Sequence, residues 1–322
     1  LHIALYGVVE KRPIQAKNFP LASAALSADW RMEVHRAADE VELWATGVRG
    51  ISATRIAYVR GNQVWTVDSD GAFATPLDGT LDARSPAWDP AGRSLAFSTL
   101  PGADAGAIVV RDLWTGSNRR FTPSERSGSF SAPVFSPDGT TLAYSYGKDG
   151  SEVFAVDPSK PGRATRITVG RSGVINTSPS FSPDGRKIAF TSSRLNHAEV
   201  YICDVDGSNV ELLTQGGFGD QFYRSNPAWS PDGRTIAFQS QIDGRFQIML
   251  ISPSGKNITA LTSDSENEDP FWAPDGRHLV FTSVRTGSAQ LWVLDTESAR
   301  ARQLTRGPAV KNAAWSPPLM RR

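Results

Sequence analysis

Short and almost wholly apolar segments recur along this chain, and each of them follows a polar turn. They are Leu142-Ala143-Tyr144, Ile188-Ala189-Phe190, Ile236-Ala237-Phe238 and Leu279-Val280-Phe281. A β-strand with one face in water alternates apolar and polar residues, whereas an unbroken apolar run indicates that both faces are covered. The pattern therefore predicts strands in sheets that stack face to face, with a small central residue that suits close contact.

An aromatic residue followed by Ser-Pro-Asp-Gly precedes these segments and defines the repeat. Complete copies begin at Phe135, Phe181 and Trp229, and weaker copies begin at Trp88, Trp272 and Trp315. The aromatic residues are 47, 46, 48, 43 and 43 positions apart, a period typical of radial or solenoid repeats. Pro fixes φ, Asp caps the backbone and Gly takes the left-handed conformation, so the tetrapeptide predicts a tight turn. This role explains the repeated Asp without catalysis.

Each repeat accommodates a meander of four antiparallel strands. The best-formed copy covers residues 226–262, and the same layout fits 133–168, 179–214, 270–305 and, more loosely, 86–122. Residues 55–59 resemble a second strand that lacks a first, and residues 312–317 resemble a first strand that lacks a second. Joining these two completes a sixth unit. We therefore predict an all-β fold, a six-bladed β-propeller closed by its C-terminal strand, which protects the sheet edges.

Residues 1–50 do not repeat and predict a separate small unit. Ser27 is a candidate cap for a helix over residues 28–45, with Gly47 as its stop signal. Residues 2–9 and 16–22 predict two strands around a polar connection. A hairpin and one helix form a small unit to bury a core unaided. Residues 1–50 are thus interpreted as the remnant of an α/β domain or as a cap on the propeller of residues 51–322.

Composition and charge exclude several classes of partner. Lys and Arg number 34 against 33 Asp and Glu, for a net charge of +1, and no basic stripe indicates a nucleic-acid binder. The chain has no apolar run near the roughly 18 residues of a membrane-spanning helix. The single cysteine, Cys203, excludes an intramolecular disulfide. Its neighbours predict a buried strand, in which a free cysteine acts as a small hydrophobe.

The search for catalytic residues yields no candidates. No Gly-x-Ser-x-Gly elbow occurs, and the four histidines lack metal-ligand spacing. We therefore expect a protein that is not an enzyme and uses no cofactor. Four acidic residues cluster before the fifth of the predicted first strands, and they are Asp264, Glu266, Glu268 and Asp269. Glu268 and Asp269 are weak candidates for Ca²⁺, and a solvated loop is the favoured interpretation.

The repeat resembles the PD40 repeat, and the chain resembles the TolB family, the periplasmic component of the Tol-Pal system. The more specific resemblance lies at the junction into the propeller: Trp30-Arg31, His35, 38–41, Thr46-Gly47 and 54–59. Ala314-Trp315-Ser316-Pro317 resembles the C-terminus of the family. The resemblance implies a preceding α/β domain that is mostly missing here, and a periplasmic location whose signal peptide is not in this chain.

The resemblance also implies partners. The propeller of the family binds the lipoprotein Pal at the mouth of its central channel and so supports outer-membrane integrity and cell division. Colicins exploit the same surface. Such a protein reaches the membrane only through its partners. In the family the extreme N-terminus engages TolA, so that contact cannot be argued for this chain, and other envelope proteins of the Tol-Pal system are further candidate partners.

The candidate binding surface follows from the predicted topology. First strands line the channel, so the residue before each first-strand Pro, or its equivalent, should point into the mouth: Ser85, Ala132, Ser178, Asn226, Asp269 and Asn312. We expect loops that lead into the first strands to build this surface. By resemblance, the Pal-contact positions are Ser129, Ala132, Thr177 and Ser178. The family carries His at the position of Ser129 and Glu at that of Ser178, so this chain departs from the pattern at both.

Two alternatives remain open on the sequence. PD40 repeats also occur in peptidase propellers, so the chain could gate a prolyl-oligopeptidase-type hydrolase domain that lies outside it. A metal-dependent lyase on a propeller would instead require histidines and carboxylates that converge in the channel, and channel-facing histidines are not evident.

Overall fold

Two strands and one helix form the N-terminal unit of the computed structural model, which describes residues 1–21, 24–100, 106–121, 128–160, 164–215 and 223–319. Strands β1 (His2–Tyr6) and β2 (Pro13–Asn18) pair as a hairpin, and α1 spans Ala28–Thr46. The second strand begins earlier than predicted, and the predicted end at Ala22 lies outside the described residues. No helix in the described part of the chain is both long and apolar enough to cross a membrane.

Helix α1 begins and ends at the predicted caps. The Ser27 hydroxyl accepts a hydrogen bond from the Trp30 backbone N–H at 3.2 Å, which satisfies one of the donors left open at a helix N-terminus. Gly47 has φ of 79° and donates its N–H to the Leu43 carbonyl at 2.9 Å. A left-handed residue at this place favours glycine, and it ends the helix one residue after the predicted boundary.

Six four-stranded antiparallel sheets form the blades of a propeller, as predicted. Blade 1 contains β6 (Ala83–Trp88), β7 (Ser94–Thr99), β8 (Ala107–Asp112) and β9 (Asn118–Phe121); blade 2 contains β10 (Ser129–Phe135), β11 (Leu142–Gly147), β12 (Glu152–Val156) and β13 (Thr165–Arg166); blade 3 contains β14 (Asn176–Phe181), β15 (Lys187–Ser192), β16 (Glu199–Asp204) and β17 (Glu211–Leu212). Blade 4 contains β18 (Arg224–Trp229), β19 (Ile236–Ile242), β20 (Arg245–Ile251) and β21 (Thr259–Ala260); blade 5 contains β22 (Asn267–Trp272), β23 (His278–Ser283), β24 (Gln290–Asp295) and β25 (Arg300–Gln303); blade 6 contains β26 (Val310–Trp315), β3 (Arg55–Arg60), β4 (Gln63–Asp68) and β5 (Thr75–Leu81).

Blade 6 closes the ring in the predicted way. Its first strand, β26, comes from the C-terminal end of the chain and pairs antiparallel with β3 from the N-terminal end. In this pairing Trp315 lies opposite Ile56, and Ala314 lies opposite Ala57. Both ends of the propeller segment are therefore held in one sheet, which closes the ring.

The Ser-Pro-Asp-Gly segments form the predicted tight turns. At Ser136 the carbonyl accepts the Gly139 N–H at 2.9 Å, and the hydroxyl donates to Asp138 Oδ1 at 2.6 Å. Gly139 has φ of 72°, and a Cβ there would lie 3.5 Å from Pro90 in the turn of the preceding blade. The turns therefore fix the path between two strands and also contact one another around one face of the ring, which we call the turn face.

The core lies between the blades, as the unbroken apolar segments predicted. Ala143, Ala189 and Ala237, the middle residues of their apolar segments, are fully buried. Indole groups join neighbouring blades: Trp88 Nε1 donates to the Ala314 carbonyl at 3.1 Å, and Trp272 Nε1 donates to the Ala228 carbonyl at 3.0 Å. These bonds satisfy buried polar groups and fix the register of adjacent sheets.

Cys203 lies on β16 and is buried. Burial raises the pKa of its thiol to about 11, so the thiolate that would be reactive is disfavoured at neutral pH. The buried position of Cys203 on a strand agrees with the packing role predicted for it.

Helix α1 docks on the turn face of the propeller. The Asp39 carboxylate accepts the backbone N–H groups of Ser52 and Ala53 at 2.6 and 2.8 Å. Arg36 Nε donates to the Leu319 carbonyl at 3.2 Å, and Arg31 pairs with Asp70 in the turn after β4. The start of each first strand, and with it the channel mouth, is consequently on the face opposite the N-terminal unit.

Candidate functional site

Six equivalent residues, one from each first strand, form what we call the channel ring: Ser85, Ala132, Ser178, Asn226, Asp269 and Asn312. Each lies at a bulge where the register to the second strand shifts. Each has a left-handed backbone, with φ between 47° and 54°. Non-glycine residues rarely adopt this conformation, and a bulge re-aims the side chain that carries it. The six positions predicted from the sequence thus share one unusual geometry.

The structure locates these residues differently from the prediction in one respect. They lie inside the innermost strands rather than in the loops that lead into them. The loops were expected because Pro follows five of the six residues, and Pro is rare in central strands. The first strand is an edge strand that faces the channel, so its missing Pro N–H leaves no ladder hydrogen bond unmade.

Four neighbouring ring residues are joined by side-chain hydrogen bonds. Ser178 Oγ donates to Asn226 Oδ1 at 2.8 Å, and Asn226 Nδ2 donates to Asp269 Oδ1 at 2.6 Å. Asn312 Nδ2 donates to Asp269 Oδ2 at 3.3 Å. We call these four residues the polar arc. Because each bond joins adjacent blades, the side chains converge on the axis of the propeller.

The other two ring residues, Ser85 and Ala132, form what we call the open arc. Neither makes a side-chain hydrogen bond to any residue that the structure describes. Both side chains are small and half-buried. The mouth is therefore lined by fixed polar groups on one side and by short side chains on the other.

Two residues of second strands, which the sequence analysis did not single out, accept hydrogen bonds from the backbone of polar-arc residues. Thr191 Oγ1 accepts the Asn226 backbone N–H at 3.0 Å, and Gln239 Oε1 accepts the Asp269 backbone N–H at 2.9 Å. Each of these two residues directly follows the apolar segment of its blade. The repeat therefore contained a signal that could have identified them. At the equivalent positions, the hydroxyls of Ser145 and Thr282 are buried and have no hydrogen-bond partner among the described residues.

Burial sets the electrostatics of the acidic residues at the mouth. It raises the pKa of Asp269, against smaller opposing effects of hydrogen bonds from Asn226 and Asn312 and of the charge on Lys311. Burial also raises the pKa of Glu268, and the charges of Asp269 and Glu266 add to the effect. Ionised carboxylates at these two positions are less stable than in water, so a cationic group would be attracted to them.

The four positions implied by the family resemblance lie on blades 2 and 3. Ser129 is exposed at the start of β10, and Thr177 is half-buried next to the ring residue Ser178. Thr177 pairs with Thr191 on the second strand. Ala132 and Ser178 belong to the ring itself. All four therefore lie at the mouth end of two adjacent first strands.

The acidic residues that the sequence analysis grouped together lie partly before β22 and partly on it. Asp264 is exposed before β22, and Arg285 Nη2 lies 3.5 Å from its carboxylate. Glu268 and Asp269 lie on β22 instead of in the solvated loop that was favoured for the cluster. Across the described ranges, no group of three or more His, Cys, Asp or Glu side chains is arranged to hold a metal ion.

Buried polar groups hold the strands together at the mouth end of the blades. In blade 3, Thr214 Oγ1 donates to the Glu199 carboxylate and accepts the Val200 N–H at 3.0 Å. Arg224 Nη1 lies 3.2 Å from the same carboxylate. Blade 5 repeats the arrangement with Thr305 and Gln290. These bonds fix the outer strand to the third strand, which makes the mouth a pre-formed surface.

Comparison with known proteins places this geometry in a family. Residues 44–319 match the PD40 family, described as the TolB beta propeller domain. The Tol-Pal system protein TolB of Bordetella pertussis is 32% identical over 196 residues, which is 59% of this chain and 44% of that protein. The chain thus spans less than half the length of the curated relatives it matches.

Solved structures agree with the fold. The crystal structure of TolB from Acinetobacter baumannii has a TM-score of 0.81 at 25% identity, over 98% of this chain and 78% of that chain. A puromycin-hydrolyzing peptidase from Mycobacterium tuberculosis has a TM-score of 0.56 at 16% identity, over 77% of this chain and 41% of that chain. The second likeness shows the fold alone.

Proposed function

This chain belongs to the TolB β-propeller family, and on that premise we propose that it is a non-enzymatic scaffold of the bacterial periplasm. Its partner would be a Pal-type lipoprotein that binds at the mouth of the channel, with a role in outer-membrane integrity and cell division. The observation that carries the proposal is the channel ring: six equivalent residues with strained backbones, which present side chains at one end of the propeller. Strained conformations cluster at ligand-binding sites.

The polar arc supports a binding role because its groups are held in place before any partner arrives. In both Asn226 and Asp269 a hydrogen bond holds the backbone N–H, and the two side chains are hydrogen-bonded to each other. A pre-organised surface loses little conformational entropy on association, which favours affinity. The open arc beside it contributes only the short side chains of Ser85 and Ala132, which would hinder an entering segment of a partner less than long side chains.

The placement of the N-terminal unit also supports this surface. Helix α1 contacts Ser52, Ala53 and Leu319 on the turn face, so it does not cover the mouth. A partner would therefore reach the ring without displacing the helix. The peptidase-gating alternative has support only at the level of the fold.

The proposal is tested by binding of the purified soluble domain of the Pal-type lipoprotein from the same bacterium, measured by isothermal titration calorimetry. Ser178→Arg places a long charged side chain in the ring, and we expect it to weaken binding at least tenfold through steric exclusion. The Thr177→Arg/Ser178→Arg double variant should weaken it further. A circular dichroism melt verifies that each variant is folded.

The matched control is Thr140→Arg, in a turn on the opposite face. Equivalent positions in four other blades already carry Arg: Arg93, Arg186, Arg234 and Arg277. The fold therefore accepts this change, and binding should remain as in the parent. Absence of binding by the parent, or full affinity of Ser178→Arg, would contradict the proposal.

A further inference from the structure

Blade 5 departs from the other blades at two neighbouring positions of the mouth. The residue before each ring residue is Arg84, Ser131, Thr177, Ser225, Glu268 or Lys311, in blade order. Only blade 5 has a carboxylate both there and in the ring, at Glu268 and Asp269. The ring residue has the same left-handed backbone and lies at the same bulge in all six blades, so the fold does not require these two acids. Burial of charge opposes them.

Glu268 is half-buried and its carboxylate accepts no hydrogen bond from a described residue. The two oxygens of Asp269, in contrast, accept amide groups from Asn226 and Asn312 at 2.6 and 3.3 Å. Glu266 lies close enough to raise the pKa of Glu268 further. The two adjacent carboxylates thus leave acceptor capacity unused at the rim of the channel.

Thr282 supplies an independent observation at the same place. Thr282 as a whole residue is 4% exposed, and its hydroxyl has no hydrogen-bond partner among the described residues. Thr282 lies directly opposite Glu268 in the pairing of β22 with β23, and directly opposed residues extend their side chains from the same face of a sheet. A buried polar group without a partner is rare in folded proteins.

We propose that Glu268, Asp269 and Thr282 form a subsite for a basic side chain, lysine or arginine, of a protein segment that enters the channel mouth. This inference rests on the proposed function and specifies the chemistry of the partner. An ammonium group has three N–H donors and a guanidinium five. Either group would supply the donors and the positive charge that the three oxygen-bearing side chains lack.

A divalent cation fits these residues less well. Ca²⁺ takes six to eight oxygen ligands, and both Asp269 oxygens already accept amide N–H groups. Lys311 of blade 6 is also close enough to lower the pKa of both carboxylates. Lys311 is exposed, so its long side chain can turn into water when another cation arrives.

The subsite is tested without knowledge of the partner by selecting a displayed random dodecapeptide library on the full chain. Selected peptides that lose binding to Ser178→Arg are kept, because they occupy the mouth. We expect a Lys or Arg at one position of these peptides, and replacement of that residue by Gln should weaken binding about tenfold.

Three variants then assign the basic residue to the subsite. Glu268→Gln should weaken the basic peptide about tenfold and leave its Gln counterpart unchanged, as in a double-mutant cycle. Lys311→Gln should strengthen the basic peptide severalfold, because it removes a competing positive charge. Glu211→Gln makes the same chemical change on the exposed outer strand of blade 3 and should have no effect.

Two results would overturn the subsite. One is a set of mouth-binding peptides without basic residues, or with affinity unchanged by Glu268→Gln. The other is binding of Ca²⁺ in a CaCl₂ titration that Glu268→Gln abolishes and the basic peptide does not compete. The lipoprotein assignment fails separately, if the lipoprotein does not bind while Glu268-dependent binding of the basic peptide persists.

Discussion

The polar arc and the open arc of the channel ring share one backbone conformation and differ in side-chain chemistry. The φ angles of Ala132 and Asn226 differ by only 6°, at 47° and 53°. Asn226 makes side-chain hydrogen bonds to both ring neighbours, whereas Ala132 makes none to the described residues. The bulge is therefore a property of the repeat, and the side chain is a separate property of each blade.

This difference assigns the backbone of the ring to folding and its side chains to recognition. Alanine has no side-chain group that stabilises a left-handed backbone, and yet Ala132 adopts it because the blade imposes the bulge. Asn and Asp tolerate the conformation better, and in the polar arc they also form a connected network. The polar arc is thus the part of the ring where the local sequence agrees with the backbone and adds chemistry to it.

The largest effect is expected from the removal of the centre of the polar arc. Asn226→Ala would leave an oxygen of Asp269 without its 2.6 Å donor and the Ser178 hydroxyl without its acceptor. We expect a loss of about 2 kcal/mol in the free energy of unfolding. Urea denaturation, monitored by tryptophan fluorescence, measures this loss.

The matched change in the open arc is Ser85→Ala, which truncates a ring residue at φ of 49°. It should alter the free energy of unfolding by less than about 0.5 kcal/mol. Ala132 already demonstrates that alanine fits the ring. Equal losses in the two variants would show that the hydrogen bonds of the polar arc do not stabilise the fold.

A smaller effect is expected from pH, because burial raises the pKa of Asp269 above its ordinary value of 3.8. In the window above 3.8, the folded protein holds a proton that the unfolded chain has released, so stability falls as pH rises through it. Asp269→Asn removes this dependence. We expect the stability of the variant relative to the parent to increase as pH rises from 3.5 to 7.

Asp204 serves as a control of opposite sign. Its hydrogen bonds to Lys187 and Asn209 hold the pKa of its carboxyl below the ordinary range. The stabilisation it gives is present above the pKa of the unfolded chain and is lost as pH falls. The stability of Asp204→Asn relative to the parent should therefore decrease as pH rises. Urea curves at five pH values distinguish the two slopes, and parallel curves for Asp269→Asn and the parent would refute the argument.

The sequence was sufficient to predict the parts of the molecule that repeat. Local rules determine the turn at Ser136 and the cap at Ser27, and the spacing of the aromatic residues determined the number of blades. The closure of blade 6 followed from an incomplete unit at each end of the pattern. Each of these features depends on neighbours in the chain or on a period, and both are visible in one sequence.

The side-chain hydrogen bonds of the channel ring were harder to predict from the sequence, because they depend on contacts between blades. The bond from Asn226 to Asp269 joins residues 43 positions apart, and no local pattern pairs them. The bulge also escaped prediction, since the Pro that follows five of the six ring residues favours a loop on local grounds. Thr191 and Gln239 were missed for a similar reason: they follow apolar segments and resemble ordinary strand residues until the next blade is packed against them.

The smallest predicted effect tests whether the small side chains of the open arc serve the fold or the binding of a partner. Ala132→Asn places a side chain that tolerates φ of 47° in a position where alanine is strained. We expect a gain of about 0.5 kcal/mol in the free energy of unfolding, whereas the β-branched Ala132→Val should lose about 1 kcal/mol. If Ala132→Asn is more stable and yet binds the lipoprotein more weakly, the open arc is kept small for the partner and not for the fold.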